Sequence, residues 1–392
     1  MAEPTHRPLL TMVALLYVAE GLPAGIFHDL VQVWLLEAHA VSLAEIGLIS
    51  LLALPWTLKA LWAPLVDRTG TASSWISGAL FMVGLVTIVL PWVEPGPMVW
   101  ILLGGMTIAS ATADIAIDGY TATVVPPEMH GRVNGWRVAA YRGAMLIAGG
   151  GAVAAAAWLP WTPIFALVGL ATALLALWTR RLPAIRRSEV NNENWWKELG
   201  KWLTQPGSWA LFLFVLLFKM GDAAMAPMIK PFWLKGAGLG LAELGVVSIT
   251  AGAGLTVAGA LLGGELTTRW GLFKALWVLG ALQAVSNLGY MFAAWMPGRG
   301  VVYAASMCES FCSGLGVAAF LAFLMRICDA KQAATRFALS TALSMVARTI
   351  IAAPSGFLVE AYGYTHYFGF TFILALPAFL LLPQIKVKLA AT

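Results

Sequence analysis

Charge is what this 392-residue sequence has least of: 11% of its residues are Asp, Glu, Lys or Arg, where a water-soluble domain carries about a quarter. Against 60% hydrophobic residues that leaves too little polar surface to coat a globule, which excludes a soluble fold. Cysteine is scarcer still. Cys308, Cys312 and Cys328 all lie in one apolar stretch or at its end, a placement that suits small buried hydrophobes and not a disulfide framework. Catalytic signatures are missing too: there is no HExxH, GxSxG, Walker A or CxxC pattern, so neither an enzyme nor a metal centre nor a cofactor is expected. The opening MAEPTHRPLL lacks the basic run and small-residue cleavage site of a secretory signal, so the first apolar segment is expected to persist as a helix.

Apolar runs are what the chain has in abundance. A helix crossing a ~30 Å hydrocarbon core needs about twenty mostly apolar residues, and twelve such runs are predicted. In the first half they are Leu9–Leu36, Ile46–Val66, Ser73–Trp92, Val99–Tyr120, Val133–Leu159 and Trp161–Trp178. In the second they are Trp209–Met228, Leu244–Leu262, Leu272–Trp295, Val301–Cys328, Phe337–Val359 and Tyr367–Leu382. Gly 39 and Trp 18 fit a bundle in lipid, where glycine lets helices approach closely and tryptophan prefers the headgroup layer. The fold class is therefore an all-α membrane protein.

An even number of crossings puts both termini on one side, and basic residues say which. Arg7, Arg68, Arg132, the Arg180–Lys201 group, Arg269, Lys274, Arg326, Lys331, Arg336, Lys386 and Lys388 fall on the side of the termini, against Lys230, Lys235 and Arg299 opposite. Both termini are expected in the cytoplasm. The net charge of +5 thus reports topology and not nucleic-acid binding. One long polar stretch, RRLPAIRRSEVNNENWWKELGKWLTQPG, divides the chain into residues 1–182, a linker at 183–206, and residues 207–392. Trp195, Leu199 and Trp202, interleaved with Lys197 and Lys201, predict a linker helix lying flat at the headgroup surface.

The halves repeat. SLAEIGLIS at Ser42–Ser50 returns as GLAELGVVS at Gly240–Ser248, and LVDRTG at Leu65–Gly70 as LTTRWG at Leu266–Gly271, offsets of 198 and 201 residues. Two similar six-helix bundles around a shared centre are the design of alternating access in a secondary transporter. Asp67, Arg68 and Arg269 occupy the matching loops and are predicted to gate. Thr268 stands where the second copy lacks the acid, so the latch is expected to be asymmetric. Lys59 sits near the same end, placed to snorkel toward phosphates.

Ionisable groups within apolar spans cost at least ~2.5 kcal/mol each on insertion scales and are functional candidates by default. Glu20 lies mid-span beside Gly21 and Pro23; Asp114 and Asp118 are one turn apart on one helix face. Arg142 is predicted to reach a depth where it pairs with Asp114 or Asp118. Lys219 and Asp222 share a face, and Glu309 and Arg348 are expected to form the corresponding pair in the second half. Desolvation favours the neutral form of such carboxylates and a neighbouring Arg the charged form, which suits proton carriers. Glu20, Asp114, Asp118, Asp222 and Glu309 are therefore the coupling candidates, and Arg142, Lys219 and Arg348 the candidates for contacting an anionic, polar solute.

Several separated segments carry a family resemblance: EGLPAG, LKALWAPLVDR, ASATADIAIDGYTATVVP, YRGAML, FKMGDA, LQAVSNLGY and FALSTALSMVAR. Together they resemble the AmpG-type permeases of the major facilitator superfamily, a group similar to acetyl-coenzyme A transporters and to RhtX/FptX-type siderophore importers. The resemblance implies a major facilitator fold, two pseudo-symmetric six-helix bundles, acting as a monomer in a bacterial inner membrane. It also implies proton-driven import of muropeptides, with a siderophore or an acetyl-CoA-type solute as alternatives. Ala113 replaces a glutamine of the AmpG-type ASATQD pattern, and the chain has no room for the two additional helices of some members. A membrane-embedded enzyme or a sensor is the alternative from another class.

Overall fold

The computed structural model describes residues 7–38, 41–94, 96–126, 129–183, 208–296, 298–326 and 345–391. The described chain is helical because lipid offers no partner to a backbone N–H or C=O, so each span must satisfy its own. The long apolar helices are α1 (Pro8–Ala38), α3 (Ala72–Trp92), α4 (Pro97–Val124), α5 (Gly135–Ala155), α6 (Trp161–Thr179), α7 (Trp209–Gly236), α8 (Leu241–Trp270), α9 (Leu272–Trp295), α10 (Arg299–Leu324) and α11 (Ser355–Lys386), with the shorter α2 at Leu43–Leu58. α11 contains two helices that meet at Gly363, whose φ of 76° an L side chain rarely adopts. The interfacial helix expected around Trp195, Leu199 and Trp202 lies outside the described residues.

The chain divides into two compact units, Met1–Ala40 with Leu52–Asn191, and Val41–Leu51 with Asn192–Thr392. The start of α2 thus packs in the second unit while its continuation belongs to the first. In the first unit α1 lies on α5 and α3 on α6. A Cβ on Gly84 or on Gly169 would stand 2.7 Å from the other's carbonyl oxygen, so this crossing needs both glycines. In the second unit α8 packs on α10 and α9 lies alongside α10. Its core is aromatic and aliphatic, with Phe218 stacked on Phe320 at 5.4 Å and Phe214 edge-on to Phe323 at 4.8 Å.

Outward surfaces invert the soluble pattern. Leu380, Leu261, Leu167 and Ile147 are all exposed, and Trp92, Trp158 and Trp295 stand open at helix ends, the arrangement of a lipid-facing belt with headgroup anchors. Polar groups turn inward instead. Four π-helical stretches, Ile26–Val31, Ile147–Gly151, Phe232–Gly236 and Leu244–Ala251, widen the helices, a distortion frequent at functional sites.

α2 departs from the uninterrupted run expected at Ile46–Val66. Helix gives way to 3-10 turns at Ser50–Ala53 and Lys59–Leu61 before a last helical piece at Ala63–Arg68. Pro55 and Pro64 each remove a backbone donor and crowd the preceding turn. The break turns Lys59 inward rather than out toward the headgroups.

Candidate functional site

In the first unit four elements bring their ionisable side chains to one place. Asp118 of α4 is the hub: its Oδ1 accepts from the Tyr17 hydroxyl of α1 at 2.7 Å and from Arg137 Nη2 of α5 at 2.7 Å. The Arg137 guanidinium also lies 4.3 Å from the centre of the Tyr17 ring, a cation–π contact that fixes both. Lys59 Nζ stands 3.7 Å from Asp114 and 3.8 Å from Asp118, one cation shared by two carboxylates one turn apart. Glu20, one turn past Tyr17, is within electrostatic reach of Asp114, Asp118, Lys59 and Arg137. Its Oε2 and Asp114 Oδ1 are buried with no hydrogen-bond partner. Three carboxylates thus face two cations.

Arg142 is not the partner of this pair. The ion pair goes to Arg137, five residues earlier, which a helix turns to a different face, while Arg142 is exposed. Depth along the helix suggested Arg142; angular position selects Arg137. An exposed arginine within a lipid-depth helix is costly unless it faces water. Lys59, expected to snorkel toward the phosphate layer, pairs with the two carboxylates of α4 instead. Arg68 is exposed, Arg269 pairs one turn back with Glu265 at 2.6 Å, and the side chain of Asp67 lies outside the described residues.

The second unit holds a tighter cluster on α7, α9 and α10. Lys219, buried, donates to Asp222 Oδ2 at 3.1 Å, to Gln283 Oε1 at 2.7 Å and to the Ser313 carbonyl at 3.4 Å. The Gln283 amide nitrogen donates to the same Asp222 oxygen, and the Ser313 hydroxyl does so at 3.2 Å. Gly316 makes the space, since a Cβ there would collide with Gln283 Oε1 at 1.7 Å. Glu309 and Arg348 do not pair among the described residues; both lie within reach of Lys219 instead, with Arg348 exposed. Sequence reasoning missed Tyr17, Arg137, Gln283 and Ser313. The spacing of Gln283, Asn287 and Tyr290, a polar stripe on an apolar helix, was the available signal for α9.

A model of the Major Facilitator Superfamily matches residues 9–352. The anhydromuropeptide permease of Escherichia coli strain K12 is 32% identical over 96% of this chain and 79% of its own length. The chain belongs to the Major Facilitator Superfamily, among its AmpG-type permeases. It is a multi-pass membrane protein and a secondary transporter. A putative transporter AmpG 4 of Rickettsia conorii is 26% identical over 96% of both chains. Among solved structures, a bacterial homologue of the human lysosomal transporter Spinster in an inward-facing, unoccupied conformation aligns with a TM-score of 0.77 at 15% identity, covering 97% of each chain. A D-xylose–proton symporter aligns at 0.72 and 11% identity, covering 95% of this chain and 96% of its own. These likenesses extend the facilitator fold to the whole described chain.

Proposed function

We propose that this permease carries an anhydromuropeptide-like solute inward across a bacterial cytoplasmic membrane in symport with protons, as a monomer with both termini in the cytoplasm. The substrate class follows the 32% identical relative named for anhydromuropeptide. One observation supports coupling: among the described residues, the cations paired with Glu20, Asp114 and Asp118 are Lys59 and Arg137, two against three carboxylates. A carboxylate left without a cation in a low-dielectric interior is neutralised by binding a proton. Binding and release of that proton change which carboxylate holds Lys59, and with it the contact of α4 with the segment after α2.

Asp222 and Glu309 are the coupling groups of the second unit. Arg142 and Arg348, exposed within their helices, offer bidentate donors to the carboxylates of a peptide-bearing sugar; Lys219 joins them when released from Asp222. Asp67, Arg68 and Arg269 keep the gating role that their loops suggest, and Lys59 links gate to cluster. In proteoliposomes, labelled anhydromuropeptide should accumulate when the outside is made acidic, and excess ferric siderophore should leave that uptake unchanged. Uptake that persists unaltered after a protonophore collapses the gradient overturns the symport reading.

A further inference from the structure

Beyond the Lys219–Asp222 cluster the second unit contains polar groups that no part of the transport site uses. Asn287, Tyr290 and Trp233 are each 0% exposed. Both side-chain amide atoms of Asn287 have no hydrogen-bond partner, and the Tyr290 hydroxyl lies against the Trp233 indole and the Ser306 hydroxyl. Buried polar groups in folded chains are almost always satisfied by protein or by ordered water, and an unpartnered amide beside a buried phenol, indole and serine hydroxyl is the lining that a buried water needs.

These polar groups are not scattered. Gln283, Asn287 and Tyr290 follow one another at helical spacing on one face of α9, and Ser313, Ser310 and Ser306 do the same along α10. The Tyr290 hydroxyl faces Ser306 and the Trp233 indole. A Cβ on Gly221 would lie 3.2 Å from Asn287 Nδ2, which sets that amide beside Asp222 on α7. Seven residues of helix rise span roughly 10 Å, so the stripe runs from the Lys219–Asp222 pair to Trp233. There it meets a path to the surface: Trp233 stacks on Tyr303 at 5.5 Å, and the Tyr303 hydroxyl donates to the carboxylate of Glu243, which Arg299 approaches to 3.7 Å.

We propose that the seam between α7, α9 and α10, lined by Asn287, Tyr290, Trp233 and Ser306, is an internal water-binding site that delivers protons from the Glu243 end of the unit to Asp222 and Glu309. Each water or hydroxyl passes one proton forward and receives one from behind, so one proton enters for each that reaches a carboxylate. Around the receiving carboxylates stand Lys219, Arg348, the Tyr290 hydroxyl and the Cys308 and Cys312 thiols. Seam hydration stands by itself, whereas delivery of protons rests on the symport reading.

Radiolytic hydroxyl labelling of the reconstituted wild type, read by mass spectrometry, tests the hydration without any substrate. Water beside a side chain produces radicals on the spot, so Tyr290 and Trp233 should oxidise several-fold faster than Tyr120 and Trp34, which are equally buried, at 1% exposure each. In Asn287→Leu, of similar volume, labelling of Tyr290 should fall to the control rate. Gradient-driven uptake of labelled anhydromuropeptide should fall several-fold and recover as the outer pH is lowered, which a packing defect would not do. Tyr290→Phe serves as the second variant and should show the same pH rescue. Control-rate labelling of Tyr290 and Trp233 in a protein whose uptake still follows the gradient overturns the seam alone. Gradient-independent uptake by the wild type overturns the proton reading beneath it.

Discussion

Asp222 accepts from three side chains at once, and its position explains how an ammonium group can sit almost fully enclosed at Lys219. Taking two charges out of water is expensive, and removing one partner leaves the other buried alone, at a typical loss of about 3–5 kcal/mol. Asp222→Ala should therefore lower stability by about that amount. The double variant Asp222→Ala with Lys219→Met should recover much of the loss, because no uncompensated charge remains. Thermal unfolding in detergent measures both; a double variant as unstable as the sum of its single changes would rule out the pair as an energetic unit. Neither variant should transport. Gly316→Ala acts on the same cluster from outside, pushing the Gln283 amide off Lys219 while leaving both charges in place.

α2 is the element where local chemistry and packing diverge most. Its start is well specified: the Ser42 hydroxyl accepts from the Glu45 N–H at 3.2 Å while the Glu45 carboxylate receives the Ser42 N–H at 2.9 Å, a reciprocal cap that the SLAEIG sequence encodes. Beyond the cap, packing takes over. Glu360 Oε1 accepts the Ala44 N–H at 3.0 Å, a Cβ on Gly47 would lie 2.7 Å from the Ala353 carbonyl, and a Cβ on Gly356 would lie 1.7 Å from that of Leu43. Gly356→Val should therefore push these helices apart and lower the unfolding temperature, whereas Gly78→Ala, with open space around it, should not; equal effects would mean that the close approach contributes nothing. Hydropathy located α2 but could not show its breaks, because Pro55 and Pro64 are tolerated in membrane helices whenever neighbours satisfy the freed carbonyls. Spans with a uniform apolar run, α3, α6 and α9, were legible almost to the residue. Lys59 was misread for the same reason that α2 was: a straight helix carries it to the headgroups, and a 3-10 turn carries it to Asp114.

At the scale of the whole chain, the repeat read from SLAEIGLIS and GLAELGVVS extends to the ionisable residues. An offset of 199 residues, inside the range of the two matched motifs, carries Glu20 to Lys219 and Asp114 to Ser313, so an acid of the first unit corresponds to a base of the second. Glu20, Asp114 and Asp118 in the first cluster, and Lys219, Asp222 and Glu309 in the second unit, were visible in the sequence, because an ionisable residue amid apolar ones stands out. Those supplied sideways, Arg137 and Gln283, depend on which face of a helix turns inward, and hydropathy carries no such angle. Under the proposed arrangement of six crossings per unit the chain begins and ends on one side of the membrane, and the distribution of Lys and Arg puts that side in the cytoplasm. Cysteines introduced at Thr5 and Thr392, in a background where Cys308, Cys312 and Cys328 are serine, should resist a membrane-impermeant maleimide in intact cells and react in inverted vesicles. A cysteine at Gly298, between α9 and α10, should show the opposite pattern. Reaction of the two terminal positions from opposite sides would mean an odd number of crossings, and the repeat could then no longer place both units in the same orientation, on which the correspondence of Glu20 with Lys219 depends.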